Sequence, residues 1–570
     1  MKETFFRSMT WLHTWAGLAV CWLLLLIFFA GSLSYFRHEI SLWSKPELHQ
    51  SVFQDYDQQR IGQQIAEGQA YLADKAPDAA SWTISFPSER KPYLSFGWAD
   101  EPKKGERRGK FHEHVVSQDG QQMITEIRDS RGGNFFYRLH FDLHYLPVVA
   151  ARWIVGLATM AMLIALISGV VIHNRIFKDF FSFRPAKGSR SWLDAHNVSA
   201  VMALPYHLII TYTGLITLMF MFMPWGALQE YDGNVRAFRA DLNPARIQAK
   251  PGKEAAPLIE AARLLPQIEQ QWGAAPLKQL SISAPGKDNS RISFTLNSEQ
   301  TVTDRRNLLI FDGVKGELIS KANPDSATYK TYDTLMALHT ARFADWALRG
   351  FFFLCGLLGC AMVATGTLLW AVKIAQKQQK AIQSGTKPTI GLRLVDGLNI
   401  SFICGLPLAT AIFFYANRLL PLDIIDRAQR EVDAFFIMLA VIALVALWDG
   451  LRTAQSWRRW RQWLLLGTLA FAALPLVGAV TSGQSLLANI HDNQWTLVGF
   501  DMVSLLFALA LGFAARQVRQ SKLINPRQSA TSPRTDTARA GRASVVRASR
   551  PNTTAMTRET RDGDLEEVRQ

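Results

Sequence analysis

Eight runs of about 20 apolar residues recur along this chain, each long enough to cross a hydrocarbon layer roughly 30 Å thick. They cover about 11–36, 147–172, 198–224, 346–371, 395–415, 432–449, 462–482 and 495–515. A chain so built is an α-helical polytopic membrane protein, and the lipid bilayer is its first partner. The net charge of +15 would suggest nucleic acid in a soluble protein, but its placement argues for topology instead. Arg175, Lys178, Arg184, Lys187 and Arg190 follow the second run, and Lys373, Lys377, Lys380 and Lys387 follow the fourth. Arg458, Arg459 and Arg461 follow the sixth, and Arg516, Arg519 and Lys522 follow the eighth, whereas residues 483–494 hold no Lys or Arg. Short basic loops stay in the cytoplasm, so both termini are predicted inside and no nucleic-acid partner is called for.

Cys21, Cys355, Cys360 and Cys404 all fall inside the apolar runs, and none forms a C-x-x-C pair. The absence of C-x-x-C-H excludes covalently attached haem. No G-x-G-x-x-G stands between a strand and a helix, so no flavin or nicotinamide site is evident. The first run lacks a small-residue cleavage site and reads as a retained helix.

The first 372 residues read as a tandem repeat of helix, external domain and helix. Residues 1–38 hold helix 1, 39–139 the first external domain, 140–173 helix 2 and 174–195 a basic cytoplasmic loop. Residues 196–225 hold helix 3, 226–338 the second domain and 339–372 helix 4. Each domain is predicted α+β: helices over 56–74 and 254–271, strands at Trp82–Phe86, Tyr93–Phe96, Leu280–Ser283, Arg291–Thr295 and Asn307–Phe311, and a turn at Arg107–Lys110. Residues 393–516 form an accessory bundle of four helices with almost no ionisable groups inside, and the tail, 521–570, is predicted disordered.

Histidine in a membrane segment is costly and points to function. His13 precedes Gly31 by 18 residues, and His196 precedes Gly214 by the same 18. Both repeats run in one direction, so equivalent residues sit at equal depth. His13 and His196 are therefore expected to face each other near the cytoplasmic side. His339 is expected to meet His140 or His144 near the external side; the two are spaced i, i+4 on one helical face and neither is preferred. Paired imidazoles at one level suit the axial positions of a b-type haem held in a bundle, two per chain being expected, although interfacial histidines also serve as simple helix anchors. His173 has Trp370 as its counterpart, leaving it a ligand or a stacking group at the inner ring. His207, whose counterpart is Leu24, suits an outer or mid-membrane ring or a hydrogen bond to a neighbouring helix. Pro205 is expected to open helix 3 beside a ring. Gly31, Gly169, Gly214 and Gly366 permit close approach either of a macrocycle or of another helix. His112-x-His114 reads mainly as a solvated strand position.

Several stretches resemble the PepSY-associated transmembrane helix family, and within it the iron-regulated ferric-siderophore reductase type. These are Arg138-Leu-His140-Phe-Asp-Leu-His144-Tyr, Ser168-Gly-Val-Val-Ile-His173-Asn, Ser191-Trp-Leu-Asp-Ala-His196-Asn, Leu204-Pro-Tyr-His207 through Gly214, and Leu338-His339-Thr-Ala-Arg-Phe343. The resemblance covers about residues 5–375. It implies a bacterial inner-membrane protein with two periplasmic PepSY-like domains and haem b held by histidine. It also implies an oxidoreductase that passes electrons from a cytoplasmic or quinol donor to ferric iron in a siderophore. Two rival readings remain: a PepSY binding module that the helices merely anchor, and a transporter rocking about a midplane site.

Overall fold

The computed structural model describes residues 2–53, 58–103, 109–173, 184, 188–235, 237, 254–273, 276–297, 302, 308–322, 327–452 and 456–518. The main helices are α1 (Lys2–Ser34), α2 (Arg37–Trp43), α3 (Ile61–Lys75), α4 (Gly132–Asp142), α5 (Val148–Ile172), α6 (Ser189–Met202) and α7 (Leu204–Thr217). After these come α8 (Leu265–Trp272), α9 (Ala327–Thr340), α10 (Trp346–Lys377) and α11 (Ile390–Leu419). The last are α12 (Arg427–Arg452), α13 (Ser456–Ser482) and α14 (Trp495–Gln517).

Among the described residues, seven helices are long and apolar enough to cross a membrane, and the bent pair α6–α7 makes an eighth if it counts as one span. The bend is 68°, at Ala203. Pro205 explains it: its ring has no N–H to give and collides with the carbonyl one turn earlier, so the helix restarts with proline in its first turn. Span five carries a different irregularity, a wide π turn at Ile400–Cys404 just ahead of Pro407.

Helices α1, α5, α6–α7 and α10 pack together as one group, with α1 against both α5 and α10, α6 against α10, and α5 against α7. Helices α11 to α14 form a second group, joined to the first through α10 and α11. The sequence reading put almost no ionisable groups inside the accessory group, but Arg418, Arg427, Glu431 and Asp501 are all buried there.

The two external domains expected as separate units share a single antiparallel sheet of eight strands, ordered β4-β3-β2-β1-β5-β6-β7-β8. The first four are β1 (Ser81–Ser85), β2 (Ser95–Ala99), β3 (Phe111–Val116) and β4 (Met123–Ile124). The others are β5 (Leu277–Ser283), β6 (Arg291–Leu296), β7 (Leu308–Asp312) and β8 (Leu318–Ala322). The halves join where Trp82 pairs with Ile282 and Ile84 with Leu280. All four of these side chains are buried in one core beneath α3 and α8, so the junction is apolar as well as hydrogen-bonded. Sequence patterning finds the strands within each half but carries no sign of the edge that joins them.

Two helix predictions shorten. Residues 254–260 are not helical, because Pro257 interrupts them and Ala255 bridges to Lys287; only Ala261–Trp272 coils. Helix α3 starts at Ile61, after a short 3-10 turn. Arg107 and Arg108 of the expected turn, and the tail beyond residue 518, lie outside the described residues.

Candidate functional site: two levels of paired imidazoles

Four helical segments each bring one imidazole toward the centre of the first helical group. His13 comes from α1, His196 from α6, His140 from α4 and His339 from α9. His13 and His196 meet with ring centroids 6.2 Å apart, and His140 and His339 with centroids 6.0 Å apart. The first pair lies away from the sheet. The second lies on the sheet side, where α4 and α9 leave the strands and turn into the spans.

Each ring is held in the same way. His13 Nδ1–H donates to the Ala165 carbonyl at 2.8 Å, His196 to Met362 at 2.8 Å and His140 to Ile27 at 2.7 Å. His339 Nδ1–H donates to Thr213 Oγ1 at 3.1 Å, beside the Ile210 carbonyl. Four residues after each of those carbonyls stands a glycine: Gly169, Gly366, Gly31 and Gly214. The imidazole Cε1 lies where a side chain would begin, 3.1, 3.2, 2.8 and 3.1 Å from the position a Cβ would take. The glycines expected to admit a macrocycle or a helix therefore admit the ligand side chain itself. At three of the four, a hydroxyl residue (Ser168, Thr213 or Thr365) precedes the glycine and closes onto its own helix backbone.

Donation from Nδ1 fixes the tautomer and leaves the Nε2 lone pair free, the usual arrangement of a metal-binding histidine. No Nε2 of the four has a hydrogen-bond partner among the described residues. Two imidazole nitrogens on opposite sides of one metal, each about 2.0 Å from it, put the ring centroids roughly 6 Å apart. Both pairs have that separation. Among the described residues no group of three or more His, Cys, Asp or Glu could hold a metal. Two imidazoles at one level are the donor set that a b-type haem would take from this chain. The helical group that carries the four histidines is packed with apolar side chains, Leu24, Phe28, Val155, Ala158, Met162 and Met362 being buried in one core.

The remaining predicted residues fall elsewhere. His140 and His144 do not share a helical face. Helix α4 ends at Asp142, and Leu143 and His144 turn through left-handed backbone with φ of 50° and 56°. His144 consequently faces the accessory group, stacked on Phe436 with centroids 5.7 Å apart and accepting from Gln429 Nε2 at 3.2 Å. Burial, aided by the Arg131 charge, holds its pKa below the ordinary histidine value, while burial and the neighbouring Asp433 push Tyr145 up to about 12. His173 caps the end of α5, one turn past Gly169, with no ring contact or side-chain hydrogen bond among the described residues.

His207 is fully buried, and neither ring nitrogen makes a hydrogen bond; the carbonyls of Ala200 and Cys355 stand beside it, out of bonding geometry. It packs edge-on to Phe28, and no second imidazole reaches it among the described residues. His112 stacks on Trp98 and bonds Asp100, and His114 bonds the Tyr71 hydroxyl, so neither is merely solvated. Sequence reasoning missed the four Nδ1 acceptors, three carbonyls and the Thr213 hydroxyl. Their signal is present in hindsight: a Ser/Thr-Gly step on the helix facing three of the four histidines.

The family model for the PepSY-associated TM region matches residues 10–373. A Pseudomonas aeruginosa protein named Uncharacterized protein PA4219 is 25% identical over 313 residues, which are 52% of this chain and 75% of that protein. The matched region holds all four paired imidazoles and their glycines, and stops before α11.

Proposed function

Since the chain belongs to the PepSY-associated transmembrane family, we propose that it is a two-haem electron conduit, reducing ferric iron outside the cytoplasmic membrane of a bacterium. The observation that carries this reading is the repeated seat of each histidine, its Nδ1 bonded to a facing helix beside a glycine, with the rings paired about 6 Å apart at each of two levels. A haem b at each level supplies one-electron chemistry. His13 and His196 present the pair on the side of the basic loops, where a cytoplasmic or quinol donor is met. His140 and His339 present the pair beneath the sheet, where the acceptor is met.

The chain's own groups make such a path selective. The Nδ1–H bonds fix the tautomer and the aim of each imidazole, and the oxygen acceptors raise its basicity as a ligand. The apolar walls exclude water, which stabilises low-spin, two-imidazole ligation. Ferric siderophore is the acceptor that the resemblance suggests: reduction to Fe(II) weakens the hold of hard oxygen donors and frees the metal.

The test is an absorption spectrum of detergent-purified protein from haem-replete cells, oxidised and then reduced with dithionite. Low-spin b-type bands with about two haems per chain are the expected result. A colourless preparation overturns the reading and favours a PepSY module on a membrane anchor.

A further inference from the structure

Helices α11 to α14 carry none of the paired imidazoles, yet they hold α4, and hence His140, at three places. Before α4, Ser130 Oγ–H donates to Glu431 at 2.8 Å and receives Asn417 Nδ2 at 3.0 Å, while Arg427 donates to the Asp129 carbonyl at 3.1 Å. Ser130 Oγ in turn accepts the Gly132 N–H at the start of the helix. Along α4, Phe135 stacks on Phe413 and meets Phe435 and Phe436 edge-on, and Phe136 packs on Phe413 and Phe414. After α4, Gln429 holds His144, and the Tyr145 hydroxyl donates to Asp433 at 2.6 Å.

The last grip bears on a strained element. Two successive left-handed residues that are not glycine, Leu143 and His144, are strained, and such backbone persists only where the surroundings over-determine it. The turn after His339 is held differently. Ala341 is left-handed there too, with φ of 48°, but Arg90 of the sheet domain clamps it by donating to the Ala341, Arg342 and Ala344 carbonyls. Helix α9 packs on α7.

We propose that the accessory helices are the positioning element of the sheet-side imidazole pair. They fix the ends and body of α4, and so set the angle at which His140 is presented, while none of the residues that grip α4 is paired with His13 or His196. This rests on the haem reading above. Axial-ligand orientation and the hydrogen bonds behind it tune a haem potential. Gln429, Asp433 and Phe436 would then be positioning residues for a redox centre they do not touch.

The experiment uses the full chain in detergent, with potentiometric titration and electron paramagnetic resonance of the ferric state. The double variant Gln429→Met/Tyr145→Phe removes the hydrogen bonds at the turn with little change of volume, and Phe436→Leu loosens the body of α4. His339→Ala identifies the sheet-side signal. Both loosening variants are expected to keep two haems. One midpoint should move by at least threefold in its reduction equilibrium, about 28 mV at 59 mV per tenfold for one electron. The sheet-side resonance should change shape and the other stay fixed. Two unmoved potentials, or two that move together, overturn the proposal while leaving the haem reading intact. A wild-type protein without haem overturns both.

Discussion

The imidazole planes of His13 and His196 stand 74° apart, while those of His140 and His339 are inclined by only 35°. In a low-spin ferric haem the angle between axial ring planes governs how strongly the iron d orbitals split, and hence the spread of the g values. Two distinct low-spin resonances are therefore expected, the more anisotropic from the steeply crossed pair. His13→Ala and His196→Ala should each remove that one and spare the other. If both changes together leave two haems bound, the pairing is wrong.

His140 and His144 are separated by their backbone and not by their chemistry. With α4 ending at Asp142, only His140 reaches His339. His140→Ala is expected to lower haem content from two per chain to one, whereas His144→Ala should leave two. Pyridine haemochrome quantitation of the purified variants measures this directly, and equal losses would contradict the geometry.

The meeting of His13 with His196 was legible because both stand 18 residues before a glycine. The His140 or His144 ambiguity was not resolvable that way. Leu143 and His144 have ordinary helical propensity, and their left-handed turn is imposed by contacts with Phe436, Gln429 and Asp433, nearly 300 residues further along. The fusion of the two strand sets was hidden for a similar reason. An edge pairing such as Ser81–Ser85 with Leu277–Ser283 leaves no periodicity of its own. The spans themselves were plain, since hydrocarbon thickness dictates their length.

Each glycine is part of a ligand seat. A Cβ at Gly366 would stand 3.2 Å from His196 Cε1, and a larger side chain would overlap the ring. Gly366→Leu is expected to displace His196 and cost the protein the haem away from the sheet, leaving the sheet-side one. Gly350 lies on the same helix with nothing near its Cβ position, so Gly350→Leu is the matched control and should retain both. Reduced-minus-oxidised spectra of the two variants make the comparison.

Acid should loosen the junction between sheet and spans through His49. This ring is buried, bonded to Gln484 and the Leu42 carbonyl, and burial together with the Arg418 charge lowers its pKa to about 4. Below pH 6.5 the unfolded chain takes up a proton that the folded one refuses. Stability is then full above 6.5, falls as pH drops toward 4, and levels off below, by up to about 3 kcal/mol in all. His49→Gln should flatten thermal stability across that window. An unchanged pH profile would assign the acid sensitivity elsewhere.

His207 offers a last discrimination between a ligand and a misfit. Its two nitrogens are buried without hydrogen bonds, and an unsatisfied buried polar group costs about 1–3 kcal/mol. Leu24, the position that the sequence reading sets against His207, is itself buried in an apolar core. His207→Leu should therefore keep two haems and raise the melting temperature in detergent, because it replaces an unpaired imidazole with a side chain the site already accommodates elsewhere. Loss of a haem in that variant would instead make His207 an iron ligand, and the two-level arrangement of four histidines would have to be redrawn around it.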